Sequence, residues 1–186
     1  MKLIVKPQAG NKVSQKLRVP SLIAEGTKVI TYSDMAHYRP NVAALVINRE
    51  GKLLICERIG SKGAWQFPQG GADPEEKLRK ALAREVKEEI GLPSNSYRIL
   101  EKRGGYTYLY PKQVRKKKSY FDGQIQTYYL CRLKKSAPEI DLDGHKNPEF
   151  VSYKWIEPHE FKLKWLPEFK RQVYRAVMLD FFGVRL

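Results

Sequence analysis

Cysteine is nearly missing from this chain: Cys56 and Cys131 are its only two among 186 residues. Both fall inside apolar stretches that read as strands, so no disulfide framework is expected and a reducing cytoplasm is the simpler setting. Histidine is almost as scarce, and His37, His145 and His159 lack the spacing of a metal site. Long hydrophobic runs are missing too. The opening MKLIVKPQAG has an apolar run far shorter than a secretory signal, and nothing elsewhere approaches the roughly 20 residues of a membrane span, so no membrane association is expected. Repeats and low-complexity tracts are also lacking. Acid is the minority charge, 20 residues against 35 basic ones, which leaves a formal net charge of +15. A field of that sign attracts polyanions; charge alone does not choose among nucleic acid, nucleotides and acidic membrane surfaces.

What is present suits one ordinary domain with a sizeable core: 42% hydrophobic residues and 11 tyrosines in a chain too short for two comfortable domains. Residues 1–35 alternate short apolar pieces with Lys, Pro and Gly and read as an extension with one or two short strands. From Asn41 the pattern sharpens. VAALVIN and KLLICER flank REG, which predicts a β-hairpin whose first strand is apolar on both faces and therefore buried on both. SYRILEKRGGYTYLY, IQTYYLCRL and FVSYKWI read as further strands. Between the first two of these lies a connector rich in cations, Lys112 to Lys118, which reads equally as a grip for phosphates or as a solvated basic loop. Leu78, Leu82 and Val86 recur at i+4 in one helix, and Phe169, Val173, Val177 and Phe181 do so in a second at the end of the chain. Two core helices interleaved with four or more strands predict an α/β sandwich, a mixed β-sheet between helices.

The first helix has an odd charge pattern. Its start is read at Asp73 as cap, with Pro74 at the first helical position and Glu76 completing a capping box, and its stop at Gly91. Near its end stand Glu85, Glu88 and Glu89, where the helix dipole disfavours each anion by about 0.3–1 kcal/mol. Residues three and four apart share a helical face, so Glu85 lies beside both others; each such pair costs only about 0.2–0.5 kcal/mol, which is tolerable. Clustered carboxylate oxygens are what hard divalent cations take, Mg²⁺ in particular, shared with the phosphates of a substrate.

Gly70, Glu76, Arg84, Glu85, Glu88, Glu89 and Gly91, with apolar Val86 and Leu92, stand at the spacing of the Nudix box, and the chain resembles the Nudix hydrolases in this stretch. The segments YRPNVAALV, GAWQFPQGG, FDGQIQTYYL, NPEF and FKRQVYRAVM resemble the bacterial RNA pyrophosphohydrolases, a subgroup that also includes dinucleoside polyphosphate hydrolases. The resemblance runs from about Tyr38 to the end, which sets residues 1–35 apart as an extension and 36–186 as a Nudix hydrolase domain of α/β/α architecture. It implies Mg²⁺ or Mn²⁺ held by Glu85, Glu88, Glu89 and Glu149, with Arg84 orienting the carboxylates and either Glu85 or Glu149 as general base. It further implies that Arg39, Arg58, Gln124, Phe169 and Lys170 meet the substrate, Arg39 by stacking on the 5′-terminal base; Phe169 serves equally well as core by its i+4 partners. Ala64 departs from relatives that carry a hydroxyl there. The implied reaction is removal of pyrophosphate or successive phosphates from the 5′-triphosphate of RNA, with diadenosine polyphosphate hydrolysis, or binding without cleavage, as alternatives. No obligate protein partner is implied.

Overall fold

The computed structural model describes residues 36–112, 114, 120–144 and 147–186. The strands expected in residues 1–35, His145, and all of the lysine-rich connector but Lys112 and Val114 lie outside the described residues.

Strands β1 (Tyr38–Ile47) and β2 (Leu53–Arg58) form the expected hairpin, but it opens after a single pairing, Ile47 with Leu53. The freed edge of β1 is taken by β4 (Gln69–Gly71), which follows the two-residue strand β3 (Trp65–Gln66). On its other side β1 runs parallel to β6 (Gly123–Leu133), which pairs antiparallel with β5 (Tyr97–Leu109). Strand β7 (Phe150–Ile156) pairs with β2. The result is a mixed seven-stranded sheet.

Burial of β1 on both faces follows from period-2 alternation. Val42, Ala44 and Val46 meet helix α1 (Leu78–Ile90) in a cluster with Leu82, Val86, Ile90 and both free cysteines. Ala43, Leu45 and Ile47 face the opposite cluster with Val173, Tyr174, Val177 and Met178 of helix α2 (Glu168–Phe182). The α/β/α sandwich is therefore as expected. Among the described residues no helix is long and apolar enough to cross a membrane.

The start of α1 departs from the expectation. Asp73 does not cap it and Pro74 is not its first residue; the helix begins at Leu78, after Lys77. Glu75 adopts φ +66°, left-handed backbone that no helix continues through. Glu76 does accept the Asp73 N–H at 3.2 Å, so half of the capping-box bonding survives, but within a turn. Its carboxylate is chiefly engaged with Arg84, as described below. The stop at Gly91 stands as expected: φ is +70° and its N–H reaches the Lys87 carbonyl at 3.1 Å.

Candidate active site

Strand β4 lies across β1 and carries Gly70 and Gly71 beneath α1. Their bareness is used. A Cβ on Gly70 would fall 1.9 Å from the Glu85 carboxyl carbon, and one on Gly71 2.1 Å from Arg39 Nη2, so each charged group rests directly on glycine backbone. Arg39 and Gln124 are register partners of β1 and β6. Arg58 ends β2, and next to it the Ile59 N–H donates to the Glu149 carbonyl at 2.9 Å, tying down the loop just before β7. Lys170 comes from the first turn of α2. Together Arg39, Arg58, Lys170, Gln124, Glu85 and Glu149 line a cleft of about 300 Å³ that holds both cations and carboxylates.

Arg84 is the hub of the acidic side. Its Nε and Nη2 fork onto Glu76 at 3.2 and 2.9 Å, and Nη2 also donates to the Gly71 carbonyl at 2.8 Å. Nη1 reaches Glu85 at 2.7 Å and Glu88 at 3.2 Å. A planar fork suits such multiple bonding, and Glu76, placed eight residues earlier, anchors it. Arg84 thus bonds three carboxylates at once. Glu88 is the exposed member of the acidic set, outside the cleft lining.

Glu89 is the unusual one. It is buried, its Oε2 accepts the Gln69 N–H at 2.7 Å, and among the described residues its Oε1 has no hydrogen-bond partner. Buried polar atoms are nearly always satisfied, so this oxygen calls for a ligand. Burial, reinforced by the charge of Glu149, pushes the Glu89 carboxyl well above the usual carboxylate range. Burial raises Glu85 as well, against the hydrogen bond from Arg84. An oxygen-only donor set with one buried orphan fits Mg²⁺ or Mn²⁺. The carboxylates are not gathered as a finished cage: among the described residues no three of His, Cys, Asp and Glu stand close enough to hold an ion, and Arg84 bonds both Glu85 and Glu88.

Beneath the cleft runs a polar network that sequence reasoning missed. Gln126 donates to Asn41 at 2.9 Å and to Gln69 at 2.7 Å, and accepts from Tyr128 at 2.8 Å. Gln69 in turn fixes Glu89 through its backbone. The signal was there: Asn41 and Gln126 are lone polar residues in strands otherwise built for burial, and a buried amide needs partners.

Phe169 is not in the cleft but in the next room. It lines an adjoining pocket of about 260 Å³ with Trp65, Tyr108, Tyr110 and Trp165, and Arg58, Gln124 and Lys170 border both spaces. Tyr108 donates to Gln124 and lies 5.5 Å from the Phe169 ring. Lys154 braces the wall, its ammonium 4.0 Å from the Trp65 ring centre and 4.7 Å from that of Trp165. Ala64 lines this pocket without a hydroxyl, but Ser61, which the sequence reading did not single out, lines it too.

A family model for the NUDIX domain matches residues 37–177. The chain is 45% identical over 149 residues to an RNA pyrophosphohydrolase of Helicobacter pylori, covering 77% of this chain and 93% of that one. It is 42% identical to the RNA pyrophosphohydrolase of a Nitratiruptor species, covering 78% and 93%, and 37% identical to that of Salmonella arizonae, covering 79% and 84%. Among solved structures, a C. elegans Ap4A hydrolase superposes with TM-score 0.54 at 18% identity, covering 78% of this chain and 98% of that one. The E. coli dihydroneopterin triphosphate pyrophosphohydrolase does so with TM-score 0.54 at 13%, covering 77% and 99%. At those identities the superpositions speak to the fold. With a domain match over residues 37–177 and relatives up to 45% identical over most of its length, the chain belongs to the Nudix family.

Proposed function

We propose that this Nudix enzyme removes pyrophosphate, or successive phosphates, from the 5′-triphosphate end of RNA. The observation that carries the reading is a cleft lined by Arg39, Arg58 and Lys170 together with Glu85 and Glu149, whose lining residue Gln69 holds the buried Glu89 through its backbone, in a chain similar to named RNA pyrophosphohydrolases. Glu85, Glu88, Glu89 and Glu149 would hold Mg²⁺ or Mn²⁺, which when bound neutralises phosphate charge and makes a water more acidic. Arg84 keeps Glu85 and Glu88 aimed. Arg39 lines the cleft and not the aromatic pocket, so it binds the phosphate chain with Arg58 and Lys170 rather than stacking on the terminal base, the role expected of it; Gln124 and Phe169 meet that base in the aromatic pocket. Glu85 serves as general base on its position: it lines the cleft, within reach of Arg84, together with Glu149, the rival for the role. A cytoplasmic setting is supported by two free, buried thiols.

Incubation with Mg²⁺ and 5′-triphosphorylated RNA should release pyrophosphate or phosphate and leave 5′-monophosphate ends. Diadenosine tetraphosphate run in parallel guards the substrate choice; much faster turnover of the dinucleotide at equal concentration overturns it. RNA retained tightly without release would mark a binder.

The Lys170 ammonium is pushed down to about 8, by burial first and by Arg58 second. Its charge is present below that pH and lost above it. In the free enzyme kcat/KM for triphosphorylated RNA should therefore fall as pH rises through about 8, mainly through KM. Lys170→Arg, charged throughout, should move the fall to higher pH; an unchanged profile in that variant removes Lys170 from phosphate binding.

A further inference from the structure

A hollow larger than the cleft lies elsewhere on the domain. A groove of about 580 Å³ lies where the first turn of α1 meets the start of β5, and its lining includes Lys77, Arg79, Lys80, Ser94, Arg98 and Lys134 but no carboxylate. Among the described residues none of these five cations has a carboxylate within ion-pairing distance, whereas Arg84 of the same helix has three. Three of them stand on or beside the first helical turn, where the field of the helix is itself positive and acids are preferred. Their placement therefore does not serve the helix.

Lys77, Lys80, Arg84 and Glu88 follow one another at spacings of three, four and four, and so share one face of α1. The groove at one end of that face thus lies on the same helix as Glu85, which lines the cleft, with the carboxylate-paired Arg84 and then Glu88 further along. From Glu85 back to Lys77 is eight residues, about 12 Å along the axis, a few nucleotides of single strand at about 3.4 Å or more each.

We propose that this groove carries the phosphodiester backbone of the RNA whose 5′ end occupies the cleft, a proposal that rests on the RNA reading above. It is a contact to phosphates, so it adds affinity for length and reads no sequence. The predicted behaviour separates short substrates from long ones: a triphosphorylated dinucleotide fills the cleft but falls short of the groove, whereas an RNA of about ten nucleotides reaches both.

The test is the triple variant Lys77→Gln, Arg79→Gln, Lys80→Gln, assayed with Mg²⁺ on both substrates. Turnover of the dinucleotide should match the parent protein, which also certifies the fold. KM for the longer RNA should rise on the order of tenfold, and the slope of log affinity against log salt should shrink by about two, some 0.7 for each lost contact. Equal kinetics of variant and parent on the longer RNA overturn the groove while leaving the enzymatic reading intact. Failure of the parent protein on both substrates overturns that reading itself. A third arm uses phosphatidylserine vesicles: retention of the parent but not the variant, with RNA kinetics unchanged, would assign the groove to an anionic membrane surface and refute the RNA contact.

Discussion

Replacing Glu89 by glutamine should lower turnover about a thousandfold, some 4 kcal/mol of barrier, without lowering the melting temperature. The two halves of this expectation come from one observation. Glu89 is buried, keeps one oxygen on the Gln69 N–H, and leaves the other with nothing to bond among the described residues. In the metal-free protein an ionised carboxylate there is a burden, since burial of charge without a partner is costly. Glutamine has the same shape, still accepts from Gln69, and carries no charge to bury. Stability is thus preserved or slightly raised while a divalent ion loses a ligand, the trade expected where a site is kept strained for activity. Mg²⁺ titration gives an independent reading: the ion should raise the melting temperature of the parent by mass action and do so far less for the variant. Retained turnover, or a collapse of the fold in the variant, would assign Glu89 to structure and leave the proposed ion without its innermost ligand.

Gly70→Ala should cost about a hundredfold in kcat while the protein remains folded. The added methyl group would sit 1.9 Å from the Glu85 carboxyl carbon and 2.2 Å from its Oε1. Gly70 is not among the positive-φ glycines, so alanine suits the backbone and the conflict falls on the far end of a side chain that can turn away. Turning away breaks the 2.7 Å bond from Arg84 and removes the base from the cleft. Misplacing a reacting group by about 1 Å is enough for an effect of this size. The check is kcat beside an unfolding midpoint in urea, expected to move by less than about 1 kcal/mol. Full activity in Gly70→Ala would mean that Glu85 works elsewhere or not at all.

The strands and the helical stripes were legible because burial imposes a period. VAALVIN could only be a strand covered on both faces, and Val42 to Ile47 divide between the two clusters by alternation. Glu85, Glu88 and Glu89 were legible for the opposite reason, since their placement costs the helix and has to be explained by something outside it. The start of α1 was misread because Asp73, Pro74 and Glu76 satisfy a local rule, whereas the chain uses Glu76 to anchor Arg84 across eight residues and breaks the backbone at Glu75. Long-range pairing of that kind leaves no local mark. The network of Asn41, Gln69 and Gln126 was only half legible: polar residues in buried strands showed in the sequence, but which of them pair did not, because the bonds join three strands at distant places in the chain.

The parallel pairing of β1 with β6 has a bearing on synthesis. Asn41 and Gln126, partners in the middle of the sheet, are 85 residues apart. At about 5–20 residues per second the ribosome needs roughly 4–17 s to deliver the second after the first. Through that interval Val42–Ile47, the most hydrophobic ribbon in the sheet, waits with one side of its backbone unclaimed. A nascent chain stalled or cut before Leu133 would keep that ribbon open to any neighbour, so premature termination in this protein should yield aggregates rather than a shortened enzyme.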